Sequence, residues 1–125
     1  MAASILVVDD SRMMRDMVIF ALNEAGYSDI DQAEDGVEAL QKIAQSEPYR
    51  MIITDINMPN MDGLELCSLL RKRSGYEKTP VIILTTESSQ EMRTKGKEAG
   101  ASAWLVKPFV PNDLLYVVNT LFPGR

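Results

Sequence analysis

Two hydrophobic rhythms alternate along this chain. Short apolar runs occupy residues 4–8, Met51–Thr54, 80–85 and 102–106, with a more polar one at 29–33. Runs of this length, rich in branched residues, predict buried strands, and the polar one predicts an edge strand. Between them, apolar residues recur at helical spacing. Met14, Val18, Ala21, Leu22 and Ala25 mark a first helix over 12–25, with Arg12, Arg15, Asp16 and Glu24 off its stripe. Val37, Leu40, Ile43 and Ala44 mark a second helix, and Leu64, Leu66, Leu69 and Leu70 a third. Residues 88–98 predict a polar, weakly patterned fourth helix, and Leu114, Val118 and Leu121 a fifth. The punctuation agrees. Gly26 and Gly100 follow helices, Asp35-Gly36 makes a turn, Pro48 ends the second helix, and Pro111 suits the first turn of the last. Met13, Met14 and Met17 are expected to pack in or beside the core.

Strand–helix alternation with short loops predicts an α/β, doubly wound five-stranded parallel sheet with five helices on its two faces. Such sheets keep their chemistry at the carboxyl ends of the strands. Those ends carry Asp9-Asp10, Asp55, Thr85-Thr86 and Lys107. Asp55 closes the most apolar strand, ahead of a loop holding Pro59 and Gly63, and is the focal candidate.

Composition narrows the options. With 125 residues, 46% hydrophobic and 25% charged, the chain is expected to form one domain over 1–125. A net charge of -5 argues against nucleic acid as a direct partner. The single cysteine, Cys67, excludes an internal disulfide, and no run approaches the ~20 apolar residues of a membrane span. A cytoplasmic protein is expected. The absence of histidine removes the common transition-metal ligand sets and the histidine-activated nucleophiles.

Three carboxylates gathered at one sheet edge repel one another, by about 4 kcal/mol for two charges ~4 Å apart at an effective dielectric of ~20. They require a counter-charge. Lys107 is one, and a divalent cation is another. With only hard oxygens available the cation is Mg²⁺, with Mn²⁺ able to substitute. An aspartate beside Mg²⁺, a lysine and a hydroxyl is equipped to attack phosphorus and form an aspartyl phosphate. Each residue also has a plainer role: Asp10 or Ser11 as a helix cap, Thr85 as a strand former, Lys107 as a surface lysine. Their joint placement favours the site. The basic triplet Arg71-Lys72-Arg73 is read as a solvated last turn, with a docking patch as the alternative.

Over nearly its whole length the chain resembles the receiver domain of two-component response regulators. The motifs are Val7-Val8-Asp9-Asp10-Ser11, Thr54-Asp55-Ile56-Asn57-Met58-Pro59, Met61-Asp62-Gly63, Thr85-Thr86 and Lys107-Pro108-Phe109. The resemblance implies strand order 2-1-3-4-5, shared with flavodoxin-like sheets. It implies that Asp55 accepts a phosphoryl group from a histidine kinase. Asp10 and Asp55 would bind Mg²⁺ directly, Asp9 through water, and Asn57 through its backbone carbonyl. Thr85 would contact the phosphoryl group, as would Lys107, whose bond to Pro108 would be cis. Trp104 falls where the family usually has tyrosine or phenylalanine, an aromatic switch that turns inward when the threonine moves. Asn57 and Glu87 match positions that tune phosphate loss.

Among receivers, the runs Thr85-Thr86-Glu87-Ser88-Ser89 and Trp104 to Phe109 make the chain most similar to the stand-alone, CheY-like chemotaxis type. With no output domain expected, output would be monomeric binding of a protein target such as the flagellar motor switch, with a phosphatase as a further partner. The expected partner face comprises Ser88, Gln90, Glu91, Trp104, Leu115 and Tyr116, with Leu115 and Tyr116 pointing outward beside Trp104. Within the family, the alternative is a relay shuttle passing phosphate to another histidine domain. An aspartyl-nucleophile phosphatase is disfavoured, because such enzymes need an acid where this chain has Asn57.

Overall fold

A computed structural model describes residues 4–123. Its elements run β1 (Ile5–Val8), α1 (Arg12–Glu24), β2 (Ile30–Ala33), α2 (Gly36–Gln45), β3 (Met51–Thr54), α3 (Gly63–Arg71), β4 (Val81–Thr85), α4 (Gln90–Glu98), β5 (Ala103–Val106) and α5 (Pro111–Leu121). The strands form one parallel sheet in the order β2-β1-β3-β4-β5, as the resemblance implied. β1, β3 and β4 are buried along their whole length, as continuous apolar strands covered on both faces must be. The polar β2 lies at one edge and the half-buried β5 at the other.

Side-chain alternation divides the core in two. Ile5, Val7, Met51, Ile53, Ile82 and Leu84 pack with Val18, Ala21 and Leu22 of α1 and Leu114 and Val118 of α5. Leu6, Val8, Ile52 and Ile83 pack on the other face with Ala39 and Ile43 of α2 and Leu66, Cys67 and Leu70 of α3. Helix starts follow side-chain chemistry. Ser11, Asp35, Asp62 and Ser89 each accept a backbone N–H three residues on. Gly26, with φ 96, follows α1.

Several helical expectations need correction. Val37 is exposed, as is Ala44, and the buried stripe of α2 is Gly36, Ala39 and Ile43. In α3, Cys67 is buried and Leu69 is exposed. Of the basic triplet, Lys72 and Arg73 are exposed as expected, but Arg71 is partly buried. Its guanidinium donates to the carbonyls of Gly100, Tyr76 and Thr79 and ties α3 to the loops before β4 and β5.

Tyr49 braces the polar edge of the sheet. Its hydroxyl donates to Asp31 Oδ2 at 2.6 Å, and its backbone N–H donates to Tyr76 Oη at 2.9 Å. Burial first, then the bond to Asp31, pushes its pKa up to about 12 from 10.0. A raised folded-state value means stability that is present below the unfolded pKa and lost as pH climbs toward 12. Tyr49→Phe should therefore cost about 1 kcal/mol at pH near 8. Denaturant melts should show the gap to wild type narrowing between pH 10 and 12; a gap constant with pH would contradict the brace. Lysine titrations contribute equally to both proteins and cancel in the difference.

Candidate functional site

The strand ends converge as expected. β1 delivers Asp9 and Asp10, β3 delivers Asp55, β4 ends in Thr85, and Lys107 follows β5. Lys107 Nζ donates to Asp9 Oδ2 at 2.7 Å and to Asp55 Oδ2 at 3.0 Å. Both ion pairs are largely shielded, with these side chains at most 11% exposed. The remaining carboxylate oxygens are also held: the Ser11 N–H donates to Asp9 Oδ1 at 2.9 Å, and the Ile56 N–H to Asp55 Oδ1 at 2.6 Å. The Lys107–Pro108 bond is cis.

Burial raises the pKa of Asp9 above its ordinary 3.8, against the opposing pull of Lys107 and the Ser11 amide. Burial also works against the Lys107 ammonium. Its bonds to Asp9 and Asp55 outweigh that, and its pKa lies above 10.5. The lysine is therefore a fixed cation throughout the neutral range.

Asp9, Asp10 and Asp55 each offer a carboxylate oxygen, and these oxygens lie within 4.8 Å of one another. Asp10 is exposed while the other two are buried, so the cluster opens toward solvent on one side. Three hard oxygen donors with no imidazole or thiolate among them fit Mg²⁺. The floor is glycine-dependent: a Cβ on Gly63 would lie 2.0 Å from the Asp55 carbonyl oxygen. α3 can thus begin directly behind the acid, with the Gly63 N–H donating to the Ile56 carbonyl at 3.0 Å.

Thr85 is fully buried, and its Oγ1 accepts the Glu87 N–H at 3.3 Å. Asn57 Nδ2 donates to Glu87 Oε1 at 3.4 Å, so the two positions expected to tune phosphate loss face each other across the site's rim. Trp104 is half-buried, and its Nε1–H donates to the Glu87 carbonyl at 3.0 Å.

Of the remaining expected face, Ser88, Gln90, Glu91 and Tyr116 are exposed, Tyr116 at 74%. Leu115 does not join them beside Trp104. It is partly buried in the cluster shared by α1 and α5, on the sheet face opposite the cluster that Trp104 packs against.

Two features escaped the sequence pattern. Arg15, expected at the surface, is only 6% exposed. It donates to the Asp9 carbonyl at 2.6 Å and to Gln32 Oε1 at 2.8 Å, fixing the turn that presents the acidic pair. A long side chain that tucks its charge onto a backbone carbonyl leaves no mark in hydropathy. The methionine expectation is also corrected. Met13 and Met17 are 74% and 49% exposed and line up with Phe20 at 66%, because α1 carries a second apolar stripe turned away from the sheet. Only Met14 packs against the core.

A parallel sheet with an acidic cluster, a bridging lysine and a buried threonine at its strand ends defines a receiver. The response regulator receiver domain profile matches residues 5–119, and the chain belongs to that family. Within it, the chain is of the CheY type. It is 41% identical over 110 residues to a chemotaxis protein CheY homolog of Campylobacter jejuni, covering 88% of this chain and 85% of the relative. It is 40% identical over 110 residues to the chemotaxis protein CheY1 of Helicobacter pylori, covering 88% and 89%. The structure of the chemotaxis response regulator CheY4 of Vibrio cholerae superposes with a TM-score of 0.88 at 45% identity, covering 98% of this chain and all (100%) of that one.

Proposed function

We propose that this protein is a two-component response regulator whose Asp55 accepts a phosphoryl group from a histidine kinase in a Mg²⁺-dependent reaction. The observation that carries this reading is the double ion pair. One largely shielded lysine bridges Asp9 and Asp55 at 2.7 and 3.0 Å, placing a cation against both carboxylates at the strand ends. Asp9, Asp10 and Asp55 would hold the cation, with the backbone carbonyl of Asn57 as a further donor. When bound, Mg²⁺ would offset the carboxylate repulsion and the charge on the transferring group. The chain's own residues do the rest. An Asp55 oxygen attacks phosphorus, the bond from phosphorus to the kinase imidazole nitrogen breaks, and that nitrogen keeps the electron pair. Lys107, already placed at Asp55 Oδ2, stabilises the phosphoryl oxygens, and Thr85 contributes its hydroxyl.

Hydrolysis would be set by the rim, where Asn57 and Glu87 meet. Asn57 offers an amide and not an acid, which disfavours a dedicated phosphatase. Output would be phosphate-dependent binding of a protein target through α4, Trp104 and Tyr116. The similarity to chemotaxis proteins supports a chemotaxis role. In this reading the kinase is of the chemotaxis type, the target is the flagellar motor switch, the setting is the cytoplasm and a phosphatase is a further partner.

Incubation with a small acyl phosphate tests the reaction by intact mass. One phosphoryl adduct is expected with Mg²⁺, and none with excess chelator or in Asp55→Asn. An adduct formed equally well in chelator would remove the metal from the account.

A further inference from the structure

Among the described residues, helix α4 has the fewest buried positions of the five helices. Its sequence is Gln-Glu-Met-Arg-Thr-Lys-Gly-Lys-Glu, and Gly96 is its one buried residue. That glycine is filled from outside. A Cβ built on Gly96 would lie 2.6 Å from Trp104 Cζ3 and 2.9 Å from Cε3, with Leu64 Cδ2 next at 3.8 Å. The indole therefore occupies the space that any other residue at position 96 would need. Glycine in a helix interior weakens the helix relative to alanine, so its presence here has to be matched by a contact elsewhere. The same indole is tied at its other end, where Nε1–H donates to the Glu87 carbonyl at 3.0 Å. Glu87 in turn sits on the site, its N–H on Thr85 Oγ1 at 3.3 Å and its carboxylate facing Asn57.

We infer that Gly96 is a positioning residue that seats Trp104 as a rigid strut between the phosphoacceptor site and α4. This rests on the receiver reading above and deepens it. A change at Thr85 displaces Glu87, whose carbonyl carries the indole with it. The indole bears on the backbone of α4 at Gly96, where no side chain cushions the contact. The helix with the fewest buried anchors is the one that yields. The aromatic thus works by staying seated and passing on the movement of the loop, and the outward-facing residues of α4 read it out.

Three measurements on Gly96→Ala test the strut. First, the sign of its effect on stability should depend on Trp104. The melting temperature falls in the wild-type background, where the methyl group strikes the indole, and rises in a Trp104→Ala background, where only helix propensity remains. Second, iodide quenching of Trp104, the single tryptophan, should increase by about twofold or more as the ring is pushed from its seat. Third, beryllofluoride with Mg²⁺ should change amide exchange in α4 of the wild type by about threefold or more. In Gly96→Ala that response should be lost, while fluorine NMR still shows Asp55 occupied. The proposal is overturned if Gly96→Ala raises the melting temperature of the wild type, or if α4 of Gly96→Ala responds to the wild-type extent. If wild-type Asp55 takes up no beryllofluoride, the phosphoacceptor reading fails. The sign of the Gly96→Ala effect in the two backgrounds still decides the packing.

Discussion

Lys107→Met should destabilise the metal-free protein by about 3 kcal/mol at neutral pH, because it leaves two buried carboxylates facing each other without their cation. The wild-type lysine bonds both Asp9 and Asp55, and these side chains are no more than 11% exposed. Solvent can replace little of what is lost. The deficit should depend on protons. Burial already lifts Asp9 above 3.8, so its ionised form costs stability as pH rises through that range. Removing the lysine raises Asp9 further, which makes the deficit largest near neutral pH and smallest in acid. Urea melts of both proteins between about pH 4 and 8 measure it. A deficit that does not shrink in acid would show that the lysine acts through packing alone.

The second large effect concerns the cation. A ligand that binds only the folded state stabilises by RT ln(1 + [L]/Kd), about 2.7 kcal/mol at a hundredfold excess over Kd. Mg²⁺ should raise the melting temperature of the wild type by that mechanism, since Asp9, Asp10 and Asp55 offer oxygens within 4.8 Å of one another. Asp10→Asn should remove most of this gain. Without metal, the variant should be as stable as the wild type or more so, because one of three mutually repelling charges is gone. Asp10 is exposed and caps nothing; the N-cap of α1 is Ser11, whose side chain accepts the Met14 N–H. An unchanged Mg²⁺ dependence in Asp10→Asn would therefore leave that residue without a role.

The strand ends were legible because parallel strands covered on both faces write themselves as apolar runs. At four of the five strands, the residue that closes or follows the run is the one delivered to the site. Asp9, Asp55, Thr85 and Lys107 all follow from that rule. What stayed hidden depends on which way a helix is turned and on what lies across a gap. α1 carries two apolar stripes; periodicity picked out Val18 and Leu22 as the buried one, but it does not say that Met13, Met17 and Phe20 face out. Arg15 reads as a surface charge until its guanidinium is seen on the Asp9 carbonyl. Leu115 and Tyr116 are neighbours in sequence, yet one packs toward α1 and the other is exposed. The fit of Trp104 onto Gly96 joins β5 to α4 through a residue whose information is the absence of a side chain.

The most direct measurement is to locate the phosphoryl group. After reaction with an acyl phosphate and Mg²⁺, borohydride reduction converts an aspartyl phosphate to homoserine and marks its position permanently. Peptide mass spectrometry should then find homoserine at position 55 and unmodified aspartate at positions 9 and 10. Homoserine at position 9 or 10, with position 55 untouched, would contradict the account.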